Sequence, residues 1–290
     1  MLQVENLGKQ YKGNDFYSLR GVNFSIQTGE VVGLIGKNGS GKTTLLKMLG
    51  KAQRPSEGKI LYKGEDIFHT DNQLDEFGLM IEPVFYEYLT VMDNLKFYLQ
   101  LHQKEQFTSN IEAILQLVDL WHVRNRKPHS FSFGMKQRLS LAISLVAEPK
   151  FMILDEPFVG LDPVGVNHLI RILKKWVEDR QMALIISSHQ LSELETICTR
   201  FMYLENGSLK ESFDKSYNKQ MIVRLKKAAD IEVLSTRFAD IHISADGYEV
   251  CLKEHENNLD EILSFITNNY GIENISMRQT SLTSYFNDKE

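Results

Sequence analysis

Eight consecutive residues, Gly36, Lys37, Asn38, Gly39, Ser40, Gly41, Lys42 and Thr43, have the types and spacing needed to hold a polyphosphate. They match G-x-x-x-x-G-K-[ST] in full and stand between an apolar run at 31–35 and a helix-forming run at 42–49. Gly36, Gly39 and Gly41 open backbone conformations closed to residues with a Cβ, so successive N–H groups can turn inward around phosphate oxygens. Lys42 adds a mobile positive charge for the outer phosphates. Thr43, at the mouth of the helix, can ligate Mg²⁺ while the positive end of the helix faces the anion.

A second group of candidates stands at strand ends. The unbroken apolar run 151–154 reads as a buried parallel strand whose tip carries Asp155 and Glu156 toward a bound nucleotide. Adjacent strand residues point to opposite sides, so one carboxylate is expected in the metal shell and the other against the attacking water. Residues 182–187 repeat the pattern and end at Ser188 and His189, an imidazole able to donate to a γ-phosphate oxygen or to position water. Residues 77–81 run apolar into Glu82 and Pro83, and the proline ends the strand with Glu82 at its tip. Convergence of Glu82, Asp155, Glu156 and His189 on one edge favours a working site over four separate structural roles. Tyr11, on a loop ahead of the glycine-bearing turn, could stack on an adenine ring, with Phe16 and Tyr17 as competitors.

These groups need a scaffold. Residues 2–6 alternate as an edge strand, 22–27 alternate again, and 59–62 form a further strand candidate. Residues 89–120 read as two helices with Thr90 and Ser109 as caps. Phe85, Tyr86 and Tyr88 at their entry suit a docking groove for a partner helix, whereas Phe97 and Tyr98 suit ordinary core. Ser132 or Ser130 caps the next helix, which runs to Ala147 and stops near Pro149; its start is either a second anion site or a plain capped core helix. Gly160, Leu161, Asp162 and Pro163 open a helix to about residue 180, and Asn206 with Gly207 signals a hairpin. After about residue 211 the composition shifts to short alternating strands at 221–225, 241–244 and 248–252 and a helix at 259–266.

With 290 residues, 42% of them hydrophobic, the chain can build one large domain and a small one. No window approaches the ~18 uninterrupted apolar residues of a membrane span, and the first residues lack a signal-peptide pattern, so the cytosol is the expected compartment. Cys198 and Cys251 lie far apart without a metal-binding spacing and read as apolar fillers. A net charge of −5 speaks against nucleic acid as a partner, and the short basic clusters at 9–12 and 224–227 read as solvated faces.

In unbroken order over about residues 1–215, these motifs resemble the nucleotide-binding subunit of an ATP-binding-cassette transporter. The resemblance implies an α/β P-loop NTPase core with an antiparallel β subdomain and an inserted helical subdomain at about 84–148, together spanning 1–217. Residues 218–290 resemble the small α+β regulatory extension of drug and antibiotic-peptide exporters, including Ser281, Leu282 and Phe286. In the family's terms Tyr11 is the adenine-stacking aromatic, 36–44 the Walker A loop with Thr44 as its last member, and Ser132 and Gly134 the signature. Asp155 faces Mg²⁺, Glu156 is the catalytic base, Asp162 belongs to the D-loop and His189 is the switch histidine.

The implied reaction is hydrolysis of ATP with Mg²⁺. The implied partners are a second ATPase subunit, identical or not, met head to tail so that Ser132 and Gly134 of one complete the site of the other, and separate transmembrane permease subunits docked through 82–88. Such a subunit sits in the cytoplasm, peripheral to the inner face of the membrane. Two departures stand out: Glu82 replaces the family's glutamine, and the signature LSGGQ is Phe131, Ser132, Phe133, Gly134, Met135. Both resemble the bacitracin-resistance and lantibiotic-immunity branch, which favours export of, or immunity to, a drug or amphipathic peptide. Glu82 can still ligate Mg²⁺, while Phe133 stiffens a position the family leaves to glycine. Cassette ATPases of ribosomes or DNA repair are the second class; they usually carry a second cassette, a zinc insertion or a long coiled coil, none of which is written here. A small-molecule kinase would leave the signature, Asp162 and His189 without purpose.

Overall fold

The computed structural model describes residues 1–69, 74–82, 84–214, 219–238, 241–253, 258–279 and 282, so Pro83, Ser281 and Phe286 lie outside the described residues. The chain divides into two compact units, Met1–Phe213 and Asp214–Glu290.

The first unit starts with β1 (Leu2–Gln10) and β2 (Tyr17–Ile26), which pair antiparallel. β3 (Val31–Ile35) is wholly buried and delivers the glycine-bearing loop to α1 (Lys42–Leu49). Next come β4 (Glu57–Tyr62), β5 (Glu65–Asp66) and β6 (Phe77–Met80), then the helical insertion of α2 (Val91–Leu101), α3 (Asn110–Leu117) and α4 (Phe133–Leu145). β7 (Phe151–Asp155), α5 (Pro163–Arg180), β8 (Ala183–Ser187), α6 (Leu191–Ile197), β9 (Arg200–Glu205) and β10 (Ser208–Asp214) complete it.

Two sheets result, ordered β2-β1-β4-β5 and β10-β9-β3-β8-β7-β6. β1 is therefore interior and not the edge strand its alternation suggests: Leu2 pairs with Ile26 on one side and with Tyr62 on the other. Alternation reports one buried face and says nothing about how many neighbours a strand has. In the larger sheet β3 runs parallel to β8 and β9, and β7 runs parallel to β8 and β6. Their carboxyl ends thus share one edge, and that edge positions the loop at 36–41, Glu82, Asp155 with Glu156, and Ser188 with His189. Leu45, Leu46, Met48 and Leu49 of α1 are buried in a core shared with both sheets, which fixes the helix behind the loop.

Local chemistry explains the helix starts. Thr90 accepts from Asp93 N at 3.0 Å, Ser132 from Met135 N at 3.3 Å and Asp162 from Gly165 N at 2.7 Å, each closing an orphan amide of the first turn. Ser109 does not cap, because it is itself helical (φ −61°, ψ −22°) and its side chain accepts no first-turn amide. Asn206 and Gly207 both have positive φ (+48° and +74°), the geometry that turns β9 back into β10.

Glu76 knots the small sheet to β7. Tyr62 Oη donates to it at 2.9 Å, Lys63 Nζ at 2.5 Å and Lys150 Nζ at 2.6 Å. Burial would raise its pKa, but the bonds from Lys150, Lys63 and Tyr62 prevail and bring it from 4.5 to about 2. A carboxylate held lower in the folded than in the unfolded chain stabilises above the unfolded pKa and loses that contribution as pH falls toward the folded one. The unfolding free energy of Glu76→Gln should therefore lie below that of wild type at neutral pH, with the gap closing from about pH 4.5 to about pH 2. Denaturant unfolding across that window checks it, and a pH-independent gap would count against this role.

The second unit holds β11 (Lys219–Leu225), α7 (Ile231–Arg237), β12 (His242–Ile243), β13 (Glu249–Lys253), α8 (Leu259–Asn269) and β14 (Ile272–Gln279). Its sheet has the order β12-β13-β11-β14, and Val223, Leu225, Val250 and Leu252 pack against Leu234, Ile262 and Ile266 of the two helices.

Candidate functional site

A cavity of about 270 Å³ opens at the carboxyl edge of the large sheet, lined by Asn38, Gly39, Gly41, Lys42, Thr43 and Thr44 from the loop and by Asp155, Glu156 and His189 from the strand tips. Gly39 (φ +80°) and Gly41 (φ +107°) occupy the left-handed backbone region that the cradle requires. Gly36 does not: its role is space, because a Cβ there would collide with the carbonyl oxygen of Leu204 and the hydroxyl of Ser40. Lys42 is 8% exposed, and its ammonium donates to Gly36 O at 2.6 Å and Lys37 O at 3.1 Å. Burial pushes its pKa down, while Glu156 and Asp155 push it up.

The carboxylates are held differently. Thr43 Oγ1 donates to Asp155 Oδ2 at 2.9 Å, and Ser187 Oγ donates to Oδ1, so Asp155 is fixed at the helix mouth. Thr43 and Asp155 thus offer two converging hard oxygens. That set suits Mg²⁺, which keeps water and substrate phosphate oxygens in the rest of its shell. Among the described residues there is no group of three or more His, Cys, Asp or Glu able to cage a metal by themselves, so such an ion would be shared with its substrate.

Glu156 departs from strand geometry with φ +51°, which is strained for a residue bearing a Cβ. Strand alternation therefore fails at this step, and both carboxylates line the same cavity rather than opposite sides. Oε2 of Glu156 accepts from Ser188 Oγ and from His189 N, each at 3.3 Å. Its Oε1 is buried, accepts no hydrogen bond among the described residues, and lies 3.5 Å from His189 Nε2. An oriented carboxylate lining the cavity beside an imidazole can take a proton from water.

The remaining candidates do not line this cavity, and of them Tyr11 reaches it through Thr44. Tyr11 Oη hydrogen-bonds Gln53 Oε1 at 3.0 Å and Thr44 Oγ1 at 3.3 Å, and the ammonium of Lys9 stands 5.4 Å from its ring centroid. Tyr17 is tied to Glu57 at 2.6 Å, and Phe16 is 64% exposed. Glu82 points to Lys47, 2.6 Å away, and does not line the cavity. Ser132 caps α4, Gly134 packs so closely on Gly160 that a Cβ would come within 3.0 Å of its carbonyl oxygen, and Asp162 caps α5. Sequence reasoning missed Ser18, which lines the cavity, and Ser187, which orients Asp155. Neither has a motif spacing of its own. Asn94 was also missed: buried, it donates to the carbonyls of Tyr86, Leu89 and Thr90 and accepts from Tyr86 N at 2.7 Å, pinning the aromatic loop. Tyr88 is 84% exposed there, and Phe97, expected in the core, instead packs edge-on against the exposed Tyr86.

Among the described residues no helix is long and apolar enough to cross a membrane. The ABC transporter family profile matches residues 19–159. The chain is 31% identical to the bacitracin transport ATP-binding protein BcrA of Bacillus licheniformis over 99% of its own length and 96% of that protein. It is 37% identical to the lantibiotic transport ATP-binding protein SrtF of Streptococcus pyogenes, over 75% of this chain and 93% of that one. A solved ATP-binding subunit of an ABC transporter superposes with a TM-score of 0.68 at 26% identity, covering 92% of this chain and 99% of that one. Motif order, cavity and likeness converge: the chain belongs to the ABC transporter family, as an ATP-binding subunit with ATPase activity.

Proposed function

We propose that this subunit energises export of, or immunity to, an antimicrobial drug or amphipathic peptide. What carries the energetic half is the single cavity uniting Lys42, Thr43, Asp155, Glu156 and His189. Its residues divide the work. The loop at 36–44 cradles the triphosphate, and Lys42 turns its ammonium from the loop carbonyls to the outer phosphates. Thr43 and Asp155 would hold Mg²⁺, which would neutralise phosphate charge when bound, whereas Glu82, expected to join them, is paired with Lys47 outside the cavity. Glu156 takes the proton of the attacking water as its oxygen bonds to the γ-phosphorus and the bond to the ADP oxygen breaks. His189, which lines the cavity, donates to a γ-phosphate oxygen, and Tyr11, hydrogen-bonded to Thr44 at the cavity's margin, stacks on the adenine.

One copy leaves the outer side of the γ-phosphate open, and loss of one donor to developing charge typically costs ~10²–10³ in rate. Ser132, Gly134 and Asp162, which do not line the copy's own cavity, serve the site of a second subunit. The exporter half of the reading is supported by the likeness to a bacitracin transport protein, which spans nearly the whole chain, second unit included. The exposed Tyr86 and Tyr88 with Val84 offer a docking surface for a separate permease at the membrane's inner face.

Purification of the tagged full chain from detergent-solubilised membranes, with identification of its bound subunits, tests this. Recovery of a multi-span permease is expected, and an exclusively ribosomal catch would overturn it.

A further inference from the structure

Lys47 lies one helical turn beyond Thr43 on α1, where its ammonium meets Glu82 Oε1 at 2.6 Å. The two elements are packed together at this point, since a Cβ on Gly50 would come within 3.0 Å of Ile81 Cδ1. Lys47 is 31% exposed and Glu82 65%, so the pair is partly screened from water on the lysine side only. The ammonium is held above its ordinary pKa chiefly by the hydrogen bond to Glu82, against the cost of desolvation, and then by attraction to Glu82, Tyr11 and Asp155. Thr43, one turn away on the same helix, lines the phosphate cavity, which places the pair beside that site.

Charge in the cavity is poorly matched to a triphosphate. Among the described residues that line it, Asp155 and Glu156 set two carboxylates against one ammonium, that of Lys42. A third carboxylate at the neighbouring strand tip, left bare, adds repulsion to any phosphate that arrives without metal. We propose that Lys47 is a positioning residue that pairs with Glu82 and cancels its charge, so that a carboxylate can stand at this strand tip without weakening nucleotide binding. The inference rests on the nucleotide-site reading above. An amide at position 82 would need no such partner, whereas Glu82 does.

A double-mutant cycle on the full chain, with ATP affinity measured by calorimetry in EDTA at low salt, tests it. Lys47→Met should weaken ATP binding about three- to ten-fold. Glu82→Gln alone, which leaves the Lys47 charge unpaired, should bind as tightly as wild type or tighter, and the double variant, which removes both charges, should bind within about two-fold of wild type. Lys47→Arg should bind like wild type, and the loss in Lys47→Met should shrink at about 0.5 M salt, where exposed charges are screened. A double variant as weak as Lys47→Met would overturn the proposal, because the loss would then be structural; so would a Lys47→Met variant that binds like wild type. Absence of ATP binding by wild type in the same titrations would refute the site reading itself, a distinct outcome.

Discussion

Glu156→Gln should keep ATP bound and lose roughly 10²–10⁴ in turnover, the range expected when a positioned general base is removed. The amide is nearly isosteric, so Ser188 Oγ and His189 N can still donate to an oxygen at the Oε2 position. What it cannot do is take the proton of a water in the cavity that Glu156 lines, because an amide is not a base at neutral pH. The strained φ of +51° at this residue aims the carboxylate into the cavity and is unchanged by the substitution. Binding should hold or tighten, since one negative charge leaves a cavity that holds two carboxylates. Phosphate release measured beside an ATP titration separates the two quantities; unchanged turnover would remove Glu156 from the role.

Much of this site was legible in the residues because its parts are local. A phosphate loop needs glycines at fixed intervals, and a buried parallel strand needs an unbroken apolar run, so residues 36–43 and the tips at Asp155 and His189 could be read directly. Relations between distant residues could not. Ser187 reaches Asp155 because two parallel strands lie side by side, and Lys47 reaches Glu82 because α1 packs on the end of β6. Nor does alternation reveal its own exceptions: Glu156 leaves the extended region, and the period-2 rule then assigns its side chain to the wrong side. In the second unit α7 and β14 escaped notice. Ile231, Val233, Ile275 and Met277 are apolar yet exposed, so the periodicity that marks a buried face is blurred in both elements.

Lys42→Ala has the other large expected effect. The substitution removes the one lysine among the described residues that line the cavity and leaves the carbonyls of Gly36 and Lys37 without the donor they now share. Truncating one partner of a hydrogen-bonded charge pair costs roughly 10²-fold or more in affinity, and here the loop that shapes the cradle also loses its internal tie. The fold should survive, because α1 is anchored by Leu45, Leu46, Met48 and Leu49 rather than by its first residue. Far-UV circular dichroism and a thermal unfolding curve can show this in the same preparation. ATP titrated calorimetrically into the wild-type and Lys42→Ala proteins side by side then decides whether the glycine-bearing loop is where the nucleotide is held. A saturable isotherm for wild type with no detectable heat for the variant is expected; two superimposable isotherms would contradict it.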